Sequence, residues 1–211
     1  MTNKVYTGVG SRRAPLDVQQ LLSRRAQELA IQGYTLRSGA APGADTAFEW
    51  GAIAGKGKTE IWLPWRGFDG HKSPLVPSDE AFHMAAQFHP AWNRCSEAAK
   101  KFHARNCHQV MGADLKTPSD FVLYWTKSGK AEGGTGQALR IARHFGIPTE
   151  WVTVSDSAGK VNESPPSRGT QLWQTKVLEF AQLITHGDAD HQKWLLESAN
   201  NFIHGLPVKR P

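Results

Sequence analysis

The chain has 211 residues, 39% of them hydrophobic, and a formal net charge of +6, with a mean hydropathy of −0.47 and a pI near 9.4. These values describe a soluble globule with one well-buried domain and a small appendage, and they exclude a membrane bundle, because no apolar run approaches a span of ~20 residues. The basic balance fits an anionic partner, which is single-stranded DNA, RNA or only a polyphosphate ligand.

The N-terminus runs straight into a strand without a signal peptide, which predicts a cytoplasmic location. There, Cys95 and Cys107 are not expected to form a structural disulfide.

Residues 3–9 read as a buried strand, followed by the turn Gly10-Ser11-Arg12-Arg13. A helix is predicted from Leu16 to Gln32, where Leu16, Leu21, Leu22, Ala26, Leu29 and Ala30 recur near helical spacing and Gly33 supplies the stop. A second strand, Tyr34 to Ser38, leads into Ser38-Gly39-Ala40-Ala41-Pro42-Gly43-Ala44-Asp45-Thr46-Ala47. That stretch combines a strand end, a small-residue turn and a helix start. Its small residues let the backbone approach a ligand, and the first N–H groups of the helix point outward, so a phosphate is the expected guest.

A third strand ends near Trp62, and the long stretch 64–118 reads as an insertion, either a lid or a sub-domain. Ser119 to Trp125 is a further strand. Lys130 to Gln137, with Gly133, Gly134 and Gly136, leads into a helix of about Gly136 to Phe145, and Thr149 to Val154 is the last strand. Alternating strands and helices predict an α/β fold: a Rossmann-like parallel sheet flanked by helices, with its glycine turns at the carboxyl edge of the sheet. The polar, Pro-broken stretch 155–169 reads as a linker and 170–211 as a helical hairpin. That hairpin is too short to bury its own apolar stripe, which predicts packing on the core or a homo-oligomer.

Several residues carry alternative readings. Trp62, Trp65 and Phe68 follow the third strand at the edge where the turns lie; Trp62 and Phe68 are expected to be buried, while Trp65 is open to stacking on a base. Arg12, Arg13, Arg24, Arg25 and Arg37 concentrate positive charge in the first βαβ unit, Arg24 and Arg25 on a solvated helix face. Five histidines lie within the insertion, and His103 shares a helix face with Cys107. Without a Cys-x-x-Cys or His-Glu-x-x-His arrangement no metal site is expected, and no cofactor is predicted.

Taken together, Gly10-Ser11-Arg12, the segment Ser38-Gly39-x-Ala41-x-Gly43-x-Asp45 with Gly51-Ala52 after it, and Arg105-Asn106 before a strand resemble the Rossmann-like domain of the DNA-processing protein A (DprA) family. That family belongs to the SLOG superfamily, which also holds the LOG nucleotide hydrolases. The resemblance covers residues 4–154 and implies a domain spanning 1–154. It implies a pocket for a nucleotide or nucleotide-derived ligand, bound by Gly10, Ser11 and Arg12, by Ser38, Gly39, Gly43 and Asp45, and by Gly133, Gly134, Thr135 and Gly136. Arg105 and Asn106 would face the same pocket or pin the insertion to the core. Arg12 suits bidentate phosphate binding, and Ser11, Ser38 and Thr135 offer hydroxyls. Asp45 would repel a phosphate, so it accepts ribose hydroxyls or satisfies N–H groups of the first helical turn.

The LOG pattern Pro-Gly-Gly-x-Gly-Thr-x-x-Glu places its glutamate where this chain has Arg140. The expected catalytic carboxylate is therefore missing, and Glu132 is the one nearby substitute. Binding, as a sensor, sequestering or accessory protein, is expected ahead of single-stranded DNA binding in recombination and ahead of N-glycosidic hydrolysis.

Overall fold

A computed structural model describes residues 4–153. The chain divides into two units, 1–157 and 158–211, and the described residues belong to the first. The expected linker and helical hairpin lie outside them.

The elements are β1 (Val5–Gly10), α1 (Leu16–Ile31), β2 (Thr35–Ser38), α2 (Ala44–Ala54), β3 (Thr59–Ile61), α3 (Asp79–Phe88), α4 (Glu97–Met111), β4 (Phe121–Trp125), α5 (Gly133–His144) and β5 (Thr149–Trp151). All five strands are parallel, in the order β3-β2-β1-β4-β5. The α/β, Rossmann-like expectation holds. The chain steps outward from β1 to β3 and then returns to place β4 on the other side of β1, so the strand order reverses between β1 and β4. In open α/β sheets the crevice beyond that reversal, at the carboxyl ends, is where ligands bind.

A parallel sheet must be covered on both faces, which is why β1 reads as an unbroken buried strand. On one face α1 and α2 close over Tyr6, Leu36, Phe48, Leu123 and Trp125. On the other, Val9 and Val122 pack with Ala81 and Ala85 of α3, Ala104, Cys107 and Val110 of α4, and Ile141 of α5. The stretch 64–118 thus supplies the second helical layer: α4 is the crossover from β3 to β4, and α3 packs beside it. The expectation of a lid or sub-domain took a long connection as an excursion, whereas the second sheet face needs its apolar stripe.

Arg37 departs from the expected basic surface. It is buried, with Nε donating to Glu60 Oε2 at 2.7 Å and Nη1 to the Thr117 carbonyl at 2.8 Å. Trp62 is buried as expected and stacks on His108 with ring centroids 4.2 Å apart. His108 accepts the Ser78 N–H at Nε2 (3.1 Å) and therefore donates from Nδ1 to the Gly112 carbonyl (2.9 Å).

Two consequences can be measured. A Cβ on Gly51 would lie 1.9 Å from the Ser23 carbonyl oxygen, so Gly51→Ala forces α1 and α2 apart and is expected to lower stability by about 1–3 kcal/mol in urea unfolding. Burial depresses the His108 pKa, with Arg37 acting in the same direction and Glu80 and the Gly112 carbonyl opposing. The stability carried by its neutral ring is therefore present above the unfolded pKa of about 6.5 and is lost as pH falls below it. His89 and His103 are depressed as well, so His108→Gln should reduce, without abolishing, the fall in urea midpoint between neutral and mildly acidic pH. An unchanged fall would show that His108 is not linked to folding.

Candidate ligand site at the carboxyl edge of the sheet

The first two turns interlock. The Ser11 N–H donates to the Trp125 carbonyl at 3.0 Å, and the Ser11 carbonyl accepts from Ala14 and Ala44, both at 3.2 Å. Gly43 has a φ of +87° and lies so close that a Cβ there would be 2.7 Å from the carbonyl oxygens of Ser11 and Arg12. Within the second turn Ala40 holds a left-handed φ of 54°, a conformation uncommon outside glycine. The first turn of α2 is largely engaged within the protein, because Ala44 donates to Ser11, Thr46 to Ala41 and Ala47 to Gly43. The Ser38 hydroxyl donates to the Gly8 carbonyl at 2.8 Å, and the Ser11 Oγ accepts the Arg13 N–H at 3.1 Å. The small residues of the second turn thus serve close packing, and the Ala44, Thr46 and Ala47 N–H groups are engaged within the protein.

A polar chain runs from α2 through α4 to α5. Asp45 is buried; its Oδ1 accepts the Gly10 N–H at 3.3 Å and its Oδ2 lies 3.4 Å from Arg105 Nη2. Asp45 therefore holds the end of β1 rather than capping its own helix through its side chain, since Gly43 is the N-cap residue. Arg105 Nη1 donates to the Gly39 carbonyl at 2.5 Å, and a Cβ on Gly39 would collide with that guanidinium. Asn106 Nδ2 donates to the Gly134 carbonyl at 2.7 Å. The two residues of the Arg-Asn pair thus tie α4 to both the second and the third turn.

Burial raises the Asp45 pKa and lowers that of Arg105, each countered by the charge of the other. Arg105 Nε and both polar atoms of the Gln109 side chain are buried without a hydrogen-bond partner, and Asp45 Oδ2 has only its ion pair with Arg105. Such clustered orphan groups are uncommon in a folded interior. Gln109 escaped the sequence reading, although it lies one helical turn after Arg105 on the same face.

Above this layer the surface is aromatic and cationic. The exposed Arg12 guanidinium sits 4.5 Å from the centre of the Phe102 ring, and the Arg105 guanidinium 5.6 Å from the same ring. Phe102, Phe68 and Trp65 form a triangle of edge-to-face contacts with centroids 5.2–5.5 Å apart, and Trp65 is 39% exposed. Phe102 was also missed; its signal is its place three residues before Arg105 on one helix.

The third glycine segment is helix rather than loop. α5 begins at Gly133, and the N-cap residue Glu132 does not cap it through its side chain. Gly133 and Gly134 are exposed, whereas Thr135 and Gly136 are buried. The Glu132 carboxylate accepts from the Ser128 hydroxyl. Arg140 donates to the Phe88 carbonyl and to Gln137 Oε1, at 2.8 and 2.7 Å, and so joins α5 to the end of α3. A separate concavity of about 670 Å³, lined by residues including Tyr124, Lys130, Leu139 and Arg143, contains none of the expected site residues.

Removing one member of a buried ion pair strands the other, at a typical cost of about 3–5 kcal/mol. Arg105→Met should therefore destabilise the protein by about that much, and adding Asp45→Asn should restore part of the loss. Strictly additive effects in a double-mutant cycle would show that the two charges are not coupled. No family model matches this chain, and no curated protein or solved structure shows significant similarity to it.

Proposed function

We propose that the carboxyl edge of the sheet binds a nucleotide or nucleotide-derived ligand, as a SLOG-type sensor, sequestering or accessory protein. The observation that carries this reading is the Arg12–Phe102–Arg105 stack at the reversal of strand order. It places two guanidinium groups against only one carboxylate, Asp45, and Arg12 has no carboxylate partner among the described residues. A phosphate meets Arg12 through charge-assisted bonds, helped by the uncapped first turn of α5 at Gly133 and Gly134. The exposed face of Trp65 offers a base a stacking surface in the same aromatic cluster. Asp45 and Arg105, already engaged with the protein, position the turns beneath the ligand.

Exposed Trp65, which packs on the same Phe102 ring as Arg12, also favours a second reading, single-stranded nucleic acid tracked along a basic, aromatic edge. N-glycosidic hydrolysis has less support, because Arg140 is engaged with α3 and Glu132 with Ser128. Should hydrolysis occur, free base would appear from a nucleoside monophosphate and Glu132→Gln would suppress it.

Thermal melting in the presence of nucleoside phosphates, ADP-ribose, NAD and oligo-dT separates the first two readings. For the small-ligand reading, one phosphate-bearing compound raises the Tm at both low and moderate salt, and the shift falls at least tenfold in apparent affinity with Arg12→Ala and more weakly with Trp65→Ala. A shift with oligo-dT alone that collapses as salt rises reports release of several counterions and supports the nucleic-acid reading instead. Absence of any shift would overturn both.

A further inference from the structure

The link between α3 and α4 brings together three side chains that the ligand site does not use. His89 follows the last residue of α3, Cys95 follows the short 3-10 turn Trp92–Arg94, and His103 lies in the second turn of α4. One donor atom from each lies within 4.8 Å of the others. The Cys95 Sγ is 3.5 Å from His89 Nδ1 and 3.8 Å from His89 Nε2. The His89 and His103 rings are 4.2 Å apart between centroids. His103 is only 8% exposed, and its Nδ1 is buried without a hydrogen-bond partner.

We infer that His89, Cys95 and His103 form a metal site of the zinc class, at which one thiolate and two imidazole nitrogens bind the ion. With Zn–S near 2.3 Å and Zn–N near 2.0–2.1 Å, tetrahedral ligands stand roughly 3.3–3.7 Å from one another. The 3.5 Å from Cys95 Sγ to His89 Nδ1 already falls in that range, and the 4.8 Å limit on the set requires at most about 1.5 Å of closure. The donor set, one soft thiolate with two imidazoles, suits Zn²⁺ and excludes the oxygen-seeking Mg²⁺ and Ca²⁺.

Binding converts the Cys95 thiol to thiolate and releases one proton to solvent. Desolvation holds His103 in its neutral, ligating form, with a pKa lowered to about 4. If His89 ligates through Nδ1 it gives up the Ala91 N–H, which it accepts at 3.2 Å. Among the described residues no fourth His, Cys, Asp or Glu joins the group, so the remaining position takes water or an external donor. Burial lowers both imidazole pKa values most, with Arg140 adding to it in each case and His89 and Arg105 adding to it at His103. The Arg140 guanidinium is held by Phe88 and Gln137, and the thiolate offsets its repulsion of a cation.

In the sequence, His103 stands beside Cys107 on one helix face. Cys107 faces the core, donates its S–H to the His103 carbonyl at 3.6 Å, and has its thiol pushed up to about 12 by burial. The partners of His103 come instead from the preceding loop, with a spacing of His-x5-Cys-x7-His that matches no common zinc pattern. A bound ion would clip the end of α3 to the start of α4 at His103, one residue after Phe102, which contacts Arg12, and two before Arg105.

The test is titration of the metal-stripped full chain with Co²⁺ and then Zn²⁺, read by optical absorption. The expected result is one equivalent of Co²⁺ giving tetrahedral ligand-field bands and a thiolate-to-cobalt charge-transfer band, all displaced by Zn²⁺. Cys95→Ala should abolish the charge-transfer band, His103→Ala should weaken Co²⁺ binding at least tenfold, and Cys107→Ala should leave the spectrum unchanged. Melting of each variant without metal identifies any that fail to fold; Cys95 lies in a partly exposed loop, so its variant carries the decision. Lack of a thiolate band in the wild type, or its persistence in Cys95→Ala, would overturn the site.

Discussion

The buried contact of Arg105 with Asp45 and the Gly39 carbonyl is the constraint on which the carboxyl edge depends. A guanidinium taken out of water must find oxygen on several sides at once, and here those oxygens belong to separate elements: the start of α2, the turn after β2 and, through Asn106, the start of α5. Contacts of the Nη1 and Nη2 ends of this one side chain, with those of Asn106, therefore link all three. Gly39 follows as a necessity, since any side chain there would occupy the guanidinium's place.

This arrangement shows that the small residues of the second turn admit neighbouring protein atoms closely. Small residues permit close approach, but a neighbouring backbone exploits it as readily as a phosphate does. Gly43 admits the carbonyls of the first turn, and the α2 donors bond to the protein's own oxygens. The open polarity shifts to Arg12 and to the start of α5, where the Glu132 side chain turns aside. The proposed ligand thus meets a surface built from two turns and an aromatic triangle, over a buried ionic layer that holds its shape.

Helix α4 joins the two proposals physically. Within one stretch it carries Phe102, His103, Arg105 and Asn106, so its second and third turns meet the aromatic cluster, the His89–Cys95 loop and the ionic layer. An ion held at its start would reduce the freedom of the loop that leads into it, which is the usual effect of a ligand that binds only the folded form. Neither proposal requires the other, because they use different side chains.

The strands, the helices on the first sheet face and the positions of the glycine turns were legible in the sequence, because hydrophobic periodicity and glycine stops are local signals of burial and chain reversal. Alternation of strand and helix sufficed for a parallel sheet, and Arg12 stood out as a cation beside a glycine. Tertiary structure alone decided which of those groups remain available. Ser38 and Arg37 find partners 30 and 80 residues away, and no local pattern predicts such pairings. The role of 64–118 as the second helical layer, the stacking of Phe102 beneath Arg12 and the meeting of His89 and Cys95 with His103 likewise depend on where the chain returns after β3. Sequence determines the character of each segment through its nearest neighbours; burial and partnership are set by contacts distant in the chain, which exist only once the sheet has closed its order.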